Sequence, residues 1–295
     1  MAPYRVEPRV EVTAQLAVEE VNPDLGLPRI LCLHGGGTND RIFRAQCRAL
    51  INHLRHEFRL VFAQAPFDSE AGPDVLSVYN EWGPFRRWLC WHSEHRKLHP
   101  QDACRALDQS LDDAMRYDNE TGATGDWVAV LGFSQGAKIA ASLLYRQQVY
   151  EETRRLVIGT TSGHATQKLQ PPDRPKFRFG ILLAGSAPLV SLDPNMTLSH
   201  PLPDATSIRN PREVDSGGVP EEGGGNVLRI PTIHVHGILD PGLSFHRKLF
   251  EHFCHPATRR LVEWDGAHRV PLKHNDVLSV VHQIRKLAKE TETKV

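Results

Sequence analysis

An excess of either charge is missing from this sequence. Lys+Arg and Asp+Glu both number 35 in 295 residues, and the formal net charge is zero. Without a basic field there is nothing to gather a polyanion, so nucleic-acid binding is not expected. Long apolar runs are missing too. No stretch approaches the roughly 20 residues of a membrane span, and residues 1–27 lack the continuous apolar segment of a secretory signal. Cysteine is scarce: Cys32, Cys47, Cys90, Cys104 and Cys254 are odd in number and form no C-x-x-C pair. The expectation is reduced core thiols in a cytoplasmic protein. Histidine is plentiful, at 16. There is nonetheless no H-E-x-x-H and no paired Cys/His spacing, so neither a metal nor a cofactor is expected.

What is present is the composition of an ordinary globular chain, 40% hydrophobic and 24% charged. Short apolar runs alternate with segments of helical periodicity. Strands are predicted over 28–34, 58–65, 127–133, 177–184, 231–236 and 258–264. Helices are predicted over about 40–57, 101–117, 135–149, 243–254 and 272–289. Such alternation means βαβ units and a mostly parallel sheet of about six strands, covered by helices on both faces. One α/β domain over 28–290 is expected, preceded by an arm of uncertain order over 1–27. Three long connections interrupt it, at 67–100, 150–176 and 186–228. The last holds six prolines and five glycines, which favours a mobile surface loop. The first holds Trp82, Phe85, Trp88 and Trp91, which favours a functional one.

The strand over 127–133 runs into Gly132-Phe133-Ser134-Gln135-Gly136, followed at once by a helix. That is the setting of a G-x-S-x-G nucleophile elbow, in which a sharp turn lifts a serine above the sheet. Ligands of open parallel sheets bind beyond the carboxyl ends of the strands. Beyond the first strand stand His34-Gly35-Gly36-Gly37, a tight turn able to offer a backbone N–H to an oxyanion. The other donor is expected at Gln135, the residue after the serine. Beyond the fifth strand stands Asp240, which local sequence also allows as a helix N-cap. Beyond the sixth stands His268. Ser134, Asp240 and His268 thus occur in the order nucleophile, acid, base, each after a separate strand. A serine hydroxyl is a poor nucleophile until an imidazole takes its proton and a carboxylate orients that imidazole. Asp265 stays open as a rival acid, and His234, His236 and His274 sit less well than His268 as the base.

LCLHGGGTN (31–39), GPFRRW (83–88), GFSQGA (132–137), ILLAGSAP (181–188), HVHGILDP (234–241) and WDGAHRVP (264–271) together resemble the family of serine hydrolases of the FSH type. This family includes stand-alone thioesterases of fungal polyketide clusters. The resemblance spans roughly 28–288 and implies an α/β-hydrolase fold with Ser134, Asp240 and His268 as its triad. It further implies hydrolysis of an ester or thioester through an acyl-enzyme, with the acyl chain delivered by a polyketide synthase carrier domain. Trp82, Phe85, Trp88 and Trp91 would then wall an apolar acyl pocket. A short-chain carboxylesterase without a carrier partner is the alternative, and a binding protein on a hydrolase scaffold a further one. The long loops at 150–176 and 186–228 depart from the family pattern.

Overall fold

Four central apolar runs that cannot face water require cover on both sides, and the helices provide it. The computed structural model describes residues 23–72, 75–90, 95, 98–160, 174–196, 202–206 and 225–292. In chain order the elements are β1 (Arg29–Leu33), α1 (Asp40–Gln46), α2 (Arg48–Leu54), β2 (Arg59–Ala63), β3 (Phe67–Ser69), α3 (Leu76–Tyr79), β4 (Phe85–Arg87) and α4 (Pro100–Glu120). They continue with β5 (Trp127–Phe133), α5 (Gln135–Thr160), β6 (Phe179–Leu183), β7 (Thr232–Gly237), α6 (Leu243–Phe253), β8 (Arg259–Trp264) and α7 (His274–Glu292).

The main sheet has the order β2-β1-β5-β6-β7-β8, and every pairing in it is parallel. The central strands β1, β5, β6 and β7 are buried on both faces and read as nearly unbroken apolar runs, while the edge strands β2 and β8 are only partly covered. The chain starts at β1, steps outward to β2, then crosses back to β5 on the other side of β1. The reversal falls between β1 and β5, and in open parallel sheets ligands bind beyond the carboxyl ends at such a point. This is the α/β-hydrolase architecture.

One face is covered by α1, α2 and α7, whose Phe43, Leu50, Leu54, Val277, Val281 and Ile284 are wholly buried. Each such side chain contributes roughly 1.5–3 kcal/mol of transfer free energy. The other face is covered by α4, α5 and α6, through Leu107, Leu111, Ile139, Leu144, Leu249 and Phe253. All five cysteines are buried free thiols. Among the described residues no helix is long and apolar enough to cross a membrane.

The helix expected over 40–57 is two helices, α1 and α2, meeting at Cys47 (φ −83°, ψ 5°). The hydrogen-bond ladder barely breaks there: Cys47 N donates to Phe43 O and Ile51 N to Cys47 O, at 2.8 and 2.9 Å. Asn39 caps α1 by accepting from Ile42 N. The helix expected to stop at 149 continues to Thr160. Its added turns are polar on most sides and carry little apolar periodicity, so the sequence read them as loop. The mobile loop expected over 186–228 is partly core. Leu189, Val190, Leu192, Ala205 and Leu228 are buried in the cluster built on α5, because these scattered apolar residues find a long-range partner. Residues 207–224 and the arm at 1–22 lie outside the described residues. The 67–100 connection forms a small antiparallel pair, β3 with β4. It is tied to the end of β1 by the Thr38–Arg86 bridge.

Candidate active site

β5 ends at Phe133 and α5 begins at Gln135, leaving Ser134 alone to make the turn. Its φ is 54°, in the left-handed region that side-chain-bearing residues rarely enter. The surroundings hold it there. Ser134 N donates to Leu183 O at 2.8 Å, and Ala137 N donates to Ser134 O at 3.0 Å. The flanking glycines are a matter of space. A Cβ on Gly132 would lie 2.3 Å from Gly136 O, and one on Gly136 would lie 2.1 Å from Leu33 O.

Asp240 sits in the turn between β7 and α6 and is 5% exposed. Its two oxygens divide the work. Oδ1 accepts the Gly242 N–H at 2.8 Å, a turn bond just before α6 rather than the helix cap that the sequence allowed, since the N-cap position is Gly242 and has no side-chain cap bond. Oδ2 accepts from His268 Nδ1 at 2.6 Å. The turn is pinned to the loop carrying His268, since Ile238 N donates to Trp264 O and Leu239 N to Gly266 O, both at 3.0 Å. Burial by itself would raise the Asp240 carboxyl. The hydrogen bond and charge of His268 and the Gly242 N–H outweigh it and hold the group below the ordinary carboxylate range. An ionised Oδ2 accepts only, so Nδ1 of His268 is the protonated nitrogen and Nε2 the acceptor. Nε2 lies 2.9 Å from Ser134 Oγ. The ring rests on Phe133, with centroids 5.1 Å apart, and the side chain is 43% exposed.

The rivals stand elsewhere. Asp265 is exposed, and Asp240 already occupies Nδ1 of His268. His234 and His236 are wholly buried within β7. His274 opens α7 and packs on His53.

The glycine turn after β1 borders the serine. A Cβ on Gly35 would lie 3.6 Å from Ser134 Cβ, and one on Gly36 would lie 3.1 Å from Gln135 Oε1. Gln135 is the first residue of α5, where an N–H has no intrahelical acceptor. Its side chain does something the sequence did not suggest: Oε1 accepts from Trp88 N (2.7 Å) and Leu89 N (3.1 Å), and Nε2 donates to Leu89 O (3.1 Å). The elbow and the tryptophan segment are thereby tied together. His34 is structural. Nε2 accepts from Ala65 N at 3.0 Å and Nδ1 donates to Gly35 O at 2.7 Å. Burial pushes its pKa down to about 4.

The four aromatic residues expected to wall a pocket separate. Trp88 is wholly buried and donates its indole N–H to His34 O at 2.8 Å, bracing the glycine turn. Trp82 and Phe85 are half-buried, and the Arg41 guanidinium lies 4.4 Å over the Trp82 ring. Trp91 lies outside the described residues. A cavity of about 570 Å³ opens between α4 and α5, lined by Cys104, Asp108, Arg146, Tyr150 and Arg174 among others. Its lining includes none of Ser134, Asp240 and His268. Its charges bind one another, with Asp108 taking both Arg146 and Arg174.

One neighbour of the carboxylate is not singled out by the sequence pattern. His246 on α6 is 2% exposed, and its Nδ1 lies 3.8 Å from Asp240 Oδ2. Its ring centroid is 6.0 Å from that of His268. Burial lowers its pKa to about 4, so it is neutral at physiological pH. The signal was there: His246, Leu249 and Phe253 share the inward face of α6.

The sequence matches the family described as "Serine hydrolase (FSH1)" over residues 26–280. It is 59% identical over 274 residues to "Esterase claE" of Penicillium crustosum, covering 92% of this chain and 96% of that protein. It is 55% identical over 278 residues to "Esterase citA" of Monascus ruber, covering 94% and 98%. It is 49% identical over 270 residues to "Probable esterase tazC" of Aspergillus terreus, covering 92% and 96%. With that match running through nearly the whole chain, the protein belongs to the FSH1 family of serine hydrolases and is a hydrolytic enzyme.

Proposed function

We propose that the protein cleaves an acyl ester or thioester through an acyl-enzyme on Ser134. His268 Nε2 takes the hydroxyl proton as Oγ attacks the acyl carbonyl, and Asp240 holds the resulting imidazolium. The N–H groups of Gln135 and Gly36 receive the oxyanion. His268 then protonates the departing alcohol or thiol, and water activated by the same ring releases the acid. The observation that carries this reading is the unbroken line from Ser134 Oγ through His268 to Asp240, at 2.9 and 2.6 Å.

The substrate in its fuller form is a polyketide acyl chain tethered to a synthase carrier domain. Support for that form comes from the resemblance of the sequence motifs to stand-alone thioesterases. The relatives named as esterases support the plainer second reading, a carboxylesterase acting on free esters. The half-buried Trp82 and Phe85 would line the acyl side. A cytoplasmic place of action belongs to this reading, supported by five buried free thiols.

A Ser134→Ala variant tests the assignment. It should lose labelling by a fluorophosphonate probe and fall by roughly 10⁵–10⁶-fold in kcat. Undiminished hydrolysis in that variant overturns the proposal. Comparing a carrier-tethered acyl thioester with p-nitrophenyl esters of graded chain length separates the two substrate readings. Binding without turnover of either by the wild type would leave a ligand-binding protein on a hydrolase scaffold.

A further inference from the structure

The Asp240 carboxylate has one imidazole on each side. His268 Nδ1 is 2.6 Å from Oδ2 and His246 Nδ1 is 3.8 Å from the same oxygen. One donor atom from each of the three residues lies within 4.8 Å of the other two. His246 is the unexplained member. It is wholly enclosed, its Nδ1 has no hydrogen-bond partner among the described residues, and that nitrogen faces Asp240. A buried imidazole nitrogen without a partner is uncommon, because desolvating it goes uncompensated.

We propose that Asp240, His246 and His268 form an inhibitory site for a divalent zinc ion, which switches the hydrolase off by capturing its acid and its base together.

Two imidazoles and a carboxylate are a donor set zinc accepts, with water as a fourth ligand. Zinc bonds of about 2.0 Å in a tetrahedron place ligand atoms ~3.3 Å apart. The His246–Asp240 pair therefore closes and the His268–Asp240 pair opens, each by less than about 1 Å, and the two imidazole donors, within 4.8 Å, close by up to about 1.5 Å. Asp240 and His246 are buried, while His268 is 43% exposed, so the ion enters from the side of the base. The chemistry of inhibition follows from the tautomer. In the resting site the single proton of the neutral His268 ring sits on Nδ1. When the ion takes the Nδ1 lone pair, that proton moves through solvent to Nε2, and the ring's net protonation is unchanged. An Nε2–H pointing at Ser134 Oγ has no lone pair to accept the hydroxyl proton. The carboxylate, spent on the ion, no longer orients the ring. Sequence spacing hid this site, since the three residues come from a turn, a helix and a loop.

Only the effect on turnover rests on the proposed catalytic role of Ser134; metal binding is read separately. The full chain is titrated with Co²⁺ as a visible probe and with Zn²⁺, in a buffer that does not chelate. The wild type should show the visible absorption of a low-symmetry cobalt site, displaced by zinc. The Ser134→Ala variant should show the same band, because the serine is not a ligand. His246→Gln should lose it. Ester hydrolysis, scaled to each variant's own zinc-free rate, should be inhibited by zinc in the wild type and restored by EDTA. In His246→Gln the inhibitory zinc concentration should rise at least about tenfold. Equal zinc sensitivity in wild type and His246→Gln overturns the proposal. So does a cobalt spectrum that the substitution leaves unchanged, or the absence of any cobalt band in the wild type.

Discussion

Two aspartates at opposite ends of the sheet are almost equally buried, Asp118 at 4% exposure and Asp240 at 5%. Asp118, near the amino ends of β1 and β2, takes Arg29 at 3.3 Å and Arg59 at 2.7 Å. Arg29 is held further by Gly125 O and Asn119 Oδ1, and its guanidinium lies over Trp127. Asp240, beyond the carboxyl ends, takes an imidazole and a backbone N–H. The difference lies in the partner. A guanidinium keeps its proton at any workable pH, so the Asp118 cluster is a fixed joint between α4 and the sheet. An imidazole gives and takes a proton near neutrality, so the same kind of buried carboxylate can govern a reaction. Burial alone does not mark a carboxylate as functional; its partner's capacity to exchange a proton does.

The comparison is broken most sharply by substituting the two aspartates. Asp240→Asn keeps the shape but removes the charge and can fix the wrong tautomer of His268. A loss of about 10⁴-fold in kcat is expected, with little change in the denaturation midpoint. A loss below tenfold in steady-state assays would return the acid's role to another group such as Asp265. Asp118→Ala should behave the opposite way. It takes the carboxylate partner from the buried Arg29, which keeps Gly125 O and Asn119 Oδ1, and should destabilise the fold by about 3 kcal/mol in urea titrations. The folded fraction should keep its kcat. A specific-activity loss matching the stability loss would mean that the two ends are coupled.

The smallest effect concerns pH and the buried His34. Its ring titrates at about 4 when folded, against 6.5 in an exposed chain. Between those values the unfolded state holds the extra proton. Stability is therefore intact above pH 6.5 and falls as the pH drops toward 4, by about 1.4 kcal/mol per unit and roughly 3 kcal/mol in all. His234, also held low by burial, acts in the same sense. Urea midpoints at several pH values should give a slope for His34→Gln that is shallower than the wild type's by about 1.4 kcal/mol per unit. Equal slopes would place the acid sensitivity elsewhere.

Much of the framework was legible because it rests on short-range patterns. Ile30, Leu131, Ile181 and Ile233 lie in strands buried on both faces, and such strands have few alternatives to an apolar run. Gly132 and Gly136 bracket Ser134 because backbone fills the space a Cβ would need. Asp240 and His268 were visible as residues placed just past strand ends. Illegible were the features that depend on which distant segment fills a gap. Leu189 and Leu192 looked like parts of a proline-rich loop until α5 provided their partners. Trp88 looked like a pocket wall, yet the His34 carbonyl claims its indole N–H.

By itself, then, the sequence determined the alternation of strands and helices and the order of serine, aspartate and histidine along the chain. Each strand, each helix and the local setting of each of the three residues depends on neighbours within a few positions. The tertiary structure alone decided that His268 reaches Asp240 rather than Asp265, that the Gln135 side chain is spent on Trp88 and Leu89, and that His246 comes to rest beside the carboxylate. Those outcomes depend on strand order in the sheet and on the crossing of two loops beyond β7 and β8. Hydrogen-bond geometry selects among partners only after packing has brought them within reach.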